Sequence, residues 1–253
     1  MLDTPTFGNL DIANFTVGSM LRSGLAIRRV LRDASTEEEA ADRVTRFLYE
    51  HCVDSSTGKR CCALVRFYKT HAFGALPADL KRFAQAQLGA MSPDDAMRCL
   101  VLMATAGEAP EWNARRQSRQ HQAIPLPSAE AVRKAPMIAR LIEDLGFEID
   151  ALVNTPTKTH RSAESQPART YDVFYVEHAH GSPHIPAQRE FVERYGIESV
   201  VGFGGLLRSG ELFAVILFSS VHVPPQSAAR FRAIALDVRS SLFGIDASKT
   251  WRV

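Results

Sequence analysis

The most constraining stretch of this chain is VGFGGLLRSGELFAVILFS, residues 201–219, whose clustered glycines Gly202, Gly204 and Gly205 admit two kinds of local structure. A loop that cradles phosphate must lead from a strand into a helix, because the anion rests on the free N–H groups of the first helical turn. Here Arg208-Ser209-Gly210-Glu211 supplies turn chemistry between apolar runs at 197–207 and 212–219, and no helix follows the glycines. The pattern predicts a β-hairpin. Glycine inside a strand permits a bulge or the close approach of another group, and Gly202 and Phe203 are assigned to a pocket floor.

The flanking periodicities extend this picture. Residues 226–243 form an amphipathic helix with Phe231, Ile234, Ala235, Val238 and Leu242 in one stripe. A second firm helix begins at a capping box of Ser35 and Glu38, and Ala40, Ala41, Val44, Phe47, Leu48, His51 and Cys52 form its apolar face. Residues 15–34 read as a helix weakened by Gly18 and Gly24. Between these, 61–70 is a strand with Ala63, Val65 and Phe67 on one side, 77–88 a helix, and 99–106 a buried strand. Residues 129–145 are helical with a break at Pro136, 148–153 read as a strand, and YDVFYVE as another. A short helix over 186–195 is closed by Gly196. The polar, Pro-punctuated 108–128 is a long connection, and the Ser/Thr/Pro-rich 154–170 a mobile surface loop.

Length and charge narrow the function classes. The 253 residues, 45% apolar and 23% charged, are enough to bury a sizeable core. A net charge of +2 with no dense Lys/Arg block gives no nucleic-acid footprint. No apolar run approaches the length of a membrane helix and no signal pattern opens the chain, so the expected location is cytoplasmic. Cys52, Cys61, Cys62 and Cys99 lack the spacing of a zinc or redox motif and are expected as free thiols, with Cys61 and Cys62 on opposite faces of their strand. No nucleophile elbow, phosphate-loop lysine or HExxH occurs, so no catalytic residues are assigned.

Two segments could carry binding chemistry. The connection PEWNARRQSRQHQAIPLPS holds Trp112, Arg115, Arg116, Arg119 and His121, suited to an anionic or aromatic ligand through guanidinium forks and indole stacking. The alternative is a connection pinned by Trp112 with its arginines in water. In EHAHGSPHIP, His178 and His180 share one side of a strand and line the pocket or face solvent; with His184 they could instead hold a metal ion or haem.

The order of elements over residues 35–245 resembles that of GAF sensory domains, most specifically in FVERYGIESVVGFGGLLRSGELFAVILFSS followed by SAARFRAIALDVRSSLF. The resemblance implies an α+β fold: an antiparallel sheet with helices on one face and a long loop and helix cover on the other. It further implies a small-molecule pocket under that cover and dimerisation through the first and last helices. The expected organisation is a helical extension over 1–34, a GAF-like domain over 35–245 with an insertion at about 107–170, and a tail over 246–253. The expected function is a non-catalytic sensor that binds a small molecule, forms a homodimer and signals to a downstream protein. Its ligand-binding residues are Trp112, Arg115, Arg119, His121, His178, His180, Gly202 and Phe203. An adaptor without a ligand, using the sheet as a docking surface, is the other reading.

Overall fold

A computed structural model describes residues 8–154, 173–246 and 249–252. Among these, six strands form one antiparallel sheet in the order β3-β2-β1-β6-β5-β4. The strands are β1 (Cys62–Ala72), β2 (Arg98–Gly107), β3 (Ala123–Leu126), β4 (Val173–Val176), β5 (Ser199–Leu206) and β6 (Leu212–Ser219). Central strands β1 and β6 are covered on both faces, which is why LFAVILFS reads as a continuous apolar run rather than an alternating one. The glycine-rich segment is β5, hairpinned to β6 through a turn in which Gly210 takes φ +83°.

On one face lie α1 (Val17–Leu31), α2 (Glu37–His51), α3 (Ala78–Leu88) and α8 (Phe231–Leu242), the last preceded by the short α7 (Pro225–Ala229). They bury Ile27, Leu48, Leu80, Phe231, Ile234 and Val238 against Val65, Phe67, Phe203, Phe213 and Val215. On the other face, α4 (Ala129–Arg133), α5 (Pro136–Asp144), α6 (Ile149–Asn154) and a π-helical segment Gln188–Glu193 pack Leu141, Ile142, Ile149 and Val192 onto Leu64, Leu102, Ile216 and Phe218. The antiparallel sheet with helices behind and a loop and helix cover in front is the arrangement that the GAF resemblance implied. Among the described residues no helix is long and apolar enough to cross a membrane.

Several local expectations differ from what is observed. The capping residue of α2 is Thr36, whose hydroxyl accepts from Glu39 N, while Glu39 reaches back to Ser35. Acidic Glu37, Glu38 and Glu39 sit in that first turn, where the helix dipole favours them. Residues 149–154 are helical rather than extended, since Ile149 and Leu152 are three apart and both buried. The connection 108–128 contains β3, an edge strand that tolerates Pro125. Ala63 falls with Leu64 on the cover side because the pairing of β1 with β6 slips between Cys62 and Leu64. The break at Pro136 is present, separating α4 from α5. The surface loop assigned to 154–170 lies outside the described residues except for Asn154, which ends α6.

The C-terminal segment completes the helical layer. Glu37 N and Glu38 N, two of the unpaired donors at the start of α2, bond to the carbonyls of Lys249 and Thr250 at 3.1 and 2.9 Å. Trp251 then rests against His71 with ring centres 5.2 Å apart.

Candidate functional site

The pairing register lays out the cover side of the sheet as a grid. Side chains directly opposite in an antiparallel pair share a face, so Thr105, Arg66, Ile216, Gly202 and Phe174 form one row across five strands. The next row holds Leu102, Tyr68, Ala214 and Gly204. In these two rows Arg66 is the one charged side chain, and it stands on the middle of the sheet.

Arg66 is half-buried. Its Nη1 donates to the Tyr68 hydroxyl at 3.3 Å, whereas its buried Nε has no acceptor among the described residues. Beside it on β2, the Thr105 hydroxyl is also buried without a partner. An unmade hydrogen bond at a buried polar group costs about 1–3 kcal/mol, so unsatisfied groups on adjacent strands are an expensive arrangement for packing alone. His121, in the connection into β3, lies within range of the Arg66 charge. Burial, reinforced by the Arg66 charge, lowers its pKa to about 4, so its imidazole is neutral at physiological pH and offers one donor and one acceptor.

The residues singled out from sequence are distributed over the molecule. Gly202 stands in the same cover-side row as Arg66, and His121 lies within range of the Arg66 charge. Gly202 is tightly covered, because a Cβ there would come 3.1 Å from Phe174 and 3.3 Å from Leu141. Phe203, one residue on, points to the opposite face and stacks on Phe231 with ring centres 5.6 Å apart. Trp112 lies on a 3-10 turn, Pro110–Asn113, with its ring against Gly107 and 4.4 Å from the Tyr195 ring centre, where it plugs the end of the cover. Asn113 ties that turn to the sheet by donating to the Gly107 carbonyl at 2.8 Å.

Arg115 turns to the helical layer. It donates to Glu38 at 3.0 Å and lies over the Trp251 ring, which accounts for its charge within the fold. Arg116 and Arg119 are exposed. His178 and His180 are exposed and His184 is half-buried; His178 stacks on His222, whose Nε2 is 3.7 Å from Glu177. Among the described residues no three His, Cys, Asp or Glu side chains are placed to hold a metal ion.

The four cysteines are free and buried. Cys61 and Cys62 both join the helix-side core near Cys52, against the expectation of opposite faces, because β1 starts only at Cys62 and its register slips immediately afterwards. A hydrogen bond with Cys52 and burial raise the Cys62 pKa well above the usual thiol range. Burial raises Cys61 and Cys99 to about 12, so all three stay protonated and unreactive at neutral pH.

Sequence reasoning passed over Arg66, Tyr68 and Thr105. The signal was present in CALVRFYKT: with Val65 and Phe67 inward on one side, the alternation sends Arg66 and Tyr68 together to the other. Two open hollows at the surface, one lined by Tyr49, Lys59, Arg60 and Glu108 and the other by Asn9, Arg22, Arg29 and Phe47, involve none of these groups.

No protein-family model matches the chain, and no curated protein is matched. Among solved structures, the GAF domain from a phosphoenolpyruvate-protein phosphotransferase of Coxiella burnetii aligns at 11% identity over 89% of this chain and 93% of its own, with a TM-score of 0.45. The chromophore-binding domain of Stigmatella aurantiaca bacteriophytochrome aligns at 13% identity over 90% of this chain and 60% of its own, with a TM-score of 0.40. Identities this low carry nothing about ligand or activity.

Proposed function

We propose that this chain is a non-catalytic, cytoplasmic sensory domain that binds a small molecule between the cover side of its sheet and the segments laid over it. The observation that carries the proposal is the pair of Arg66 Nε and Thr105 Oγ1, buried on adjacent strands without hydrogen-bond partners among the described residues, with His121 close enough to feel the Arg66 charge. A ligand that meets these groups would supply the missing bonds, and small-molecule sites are mostly apolar with a few convergent polar groups.

The output runs through the helices on the other face. α1 is tied to α8 by Arg28 and Asp237 at 2.6 Å, and Phe15, just ahead of α1, packs on Phe231 of α8 with ring centres 5.0 Å apart. Val17, Leu21 and Leu25 of α1 and Leu236 of α8 are exposed, an apolar face suited to a second copy of the chain. β1 couples the two sides: Arg66 meets the ligand while Val65 and Phe67 belong to the helix-side core. Ligand binding favours the closed arrangement of the cover, and the shift in population is transmitted to the helix pair and to a downstream protein.

The test is to expose the protein to a metabolite extract, wash it, release what is bound by heat and identify it by mass spectrometry. Enrichment of a small molecule is expected, with slowed hydrogen exchange in β1 and over 108–122. No enrichment and unchanged exchange would overturn the proposal.

A further inference from the structure

Resting on the ligand-binding reading above, the geometry points to a ligand that carries a carboxylate, with Arg66 as its anchor and Thr105 and Tyr68 as its flanking hydrogen-bond partners. The first argument is charge. Arg66 makes no ion pair among the described residues, and several nearby acids are paired elsewhere: Asp144 with Arg140, Glu37 and Glu211 with Lys69 on the far face, and Asp79 towards Arg115 and Arg116. Arg66 holds its charge half-buried with no carboxylate beside it among the described residues, and a bound anion would supply that counter-ion.

The second argument is shape. A guanidinium offers parallel N–H pairs that match the two oxygens of a planar carboxylate. Tyr68 occupies Nη1, which leaves the Nε edge, where the buried N–H has no acceptor. Tyr68 uses an oxygen lone pair in that bond and keeps its own proton to donate. The unpartnered Thr105 hydroxyl, opposite Arg66 in the register, supplies another donor.

The third argument separates anion types. A phosphate dianion matches two cations, and the two rows around Arg66 hold one. A single negative charge matches a single guanidinium. The neighbours Leu102, Ala214 and Ile216 are apolar, which fits a carboxylate on a short aliphatic or aromatic body rather than a polyhydroxylated one.

The experiment uses the full chain and three variants, Arg66→Met, Arg66→Lys and Thr105→Val, in thermal unfolding and calorimetric titration. The probes at millimolar concentration are hexanoate, benzoate and phenylacetate, their amides, and inorganic phosphate. At least one carboxylate is expected to raise the wild-type Tm by roughly 3 °C or more, with its amide and phosphate silent. Arg66→Met is expected to melt no lower than wild type and to weaken that carboxylate at least about tenfold, Arg66→Lys to retain part of the affinity, and Thr105→Val to weaken it about threefold or more. Silence of all the carboxylates, equal response to acids and amides, a response to phosphate alone, or undiminished binding by Arg66→Met overturns the inference. So does an Arg66→Met protein that melts far below wild type while Thr105→Val binds normally. A neutral compound from the metabolite extract that binds wild type and Arg66→Met alike sinks the carboxylate and leaves the sensory reading standing; an extract that yields no bound compound removes both.

Discussion

Lys69 Nζ lies 2.7 and 2.6 Å from the two carboxylate oxygens of Glu37, joining the centre of β1 to the first turn of α2 through two buried side chains. Glu211, 3.4 Å away, is a second counter-ion for the same ammonium. Breaking a buried pair from one side leaves an uncompensated charge and costs about 3–5 kcal/mol. Lys69→Met, which strands two carboxylates, is expected near that value. Glu37→Gln is expected to cost less, because Glu211 still faces Lys69. Urea unfolding of both variants measures the difference, and a larger loss in Glu37→Gln would refute the assignment.

Gly204 is fixed by backbone, not by a side chain that could yield. A Cβ at this position of β5 would come 2.1 Å from the Phe213 carbonyl oxygen and 3.0 Å from Ala214 Cα on the paired strand. Gly204→Ala is therefore expected to destabilise the protein by about 3 kcal/mol or more, in the range of severe overpacking. Chemical denaturation gives the value; a loss under about 1 kcal/mol would show that the hairpin relaxes around the methyl group.

Acid sensitivity follows from two histidines. Burial, with the charges of Lys69 and Arg98 adding to it, lowers the pKa of His71 to about 3, and His121 is lowered to about 4. The unfolded chain takes up these protons as pH falls through about 6.5, while the folded chain refuses them until the lowered values are reached. The stability that the neutral imidazoles confer is complete above that pH and is lost towards pH 4. The slope is at most about 1.4 kcal/mol per pH unit for each group, and smaller for the partly exposed His121. Urea unfolding between pH 7.5 and 5 is expected to show the decline, and His71→Gln to flatten it. An unchanged slope in that variant would place the proton uptake elsewhere.

The exposed face of α1 gives a test of assembly. Leu21 and Leu25 are 61% and 58% exposed and one helical turn apart, so a two-fold copy of this face would bury them. Leu21→Glu and Leu25→Glu together are expected to convert a dimer to a monomer in light scattering, with the melting behaviour of the domain retained. A wild type that is monomeric at high micromolar concentration would rule the dimer out.

Local pattern carried much of this fold. The stripe of Phe231, Ile234, Ala235, Val238 and Leu242 is buried along α8, because a helix that must cover a sheet writes its own period into the chain. The same holds for the β5–β6 hairpin, whose apolar runs and intervening Gly210 exclude a phosphate loop without reference to any distant residue. Short elements were harder. The π-helical turn at Gln188–Glu193 and the pairing of Ala123–Leu126 with β2 depend on what they pack against. Residues 149–154 are too short for periodicity to separate helix from strand.

The proposed site was legible only in part, and two arginines show why. Arg115 sits in a basic stretch that reads as an anion clamp, yet it finds Glu38, 77 residues earlier in the chain, and Trp251 near its end. Arg66 sits in an ordinary strand and finds no carboxylate among the described residues. Periodicity is a local property, and the sequence by itself determined it: the helices, the hairpin and the side of β1 on which Arg66 emerges. Which guanidinium meets a carboxylate and which does not depends on groups brought together over tens of residues, so only the tertiary structure decided it, through burial and the placement of the few acids within reach.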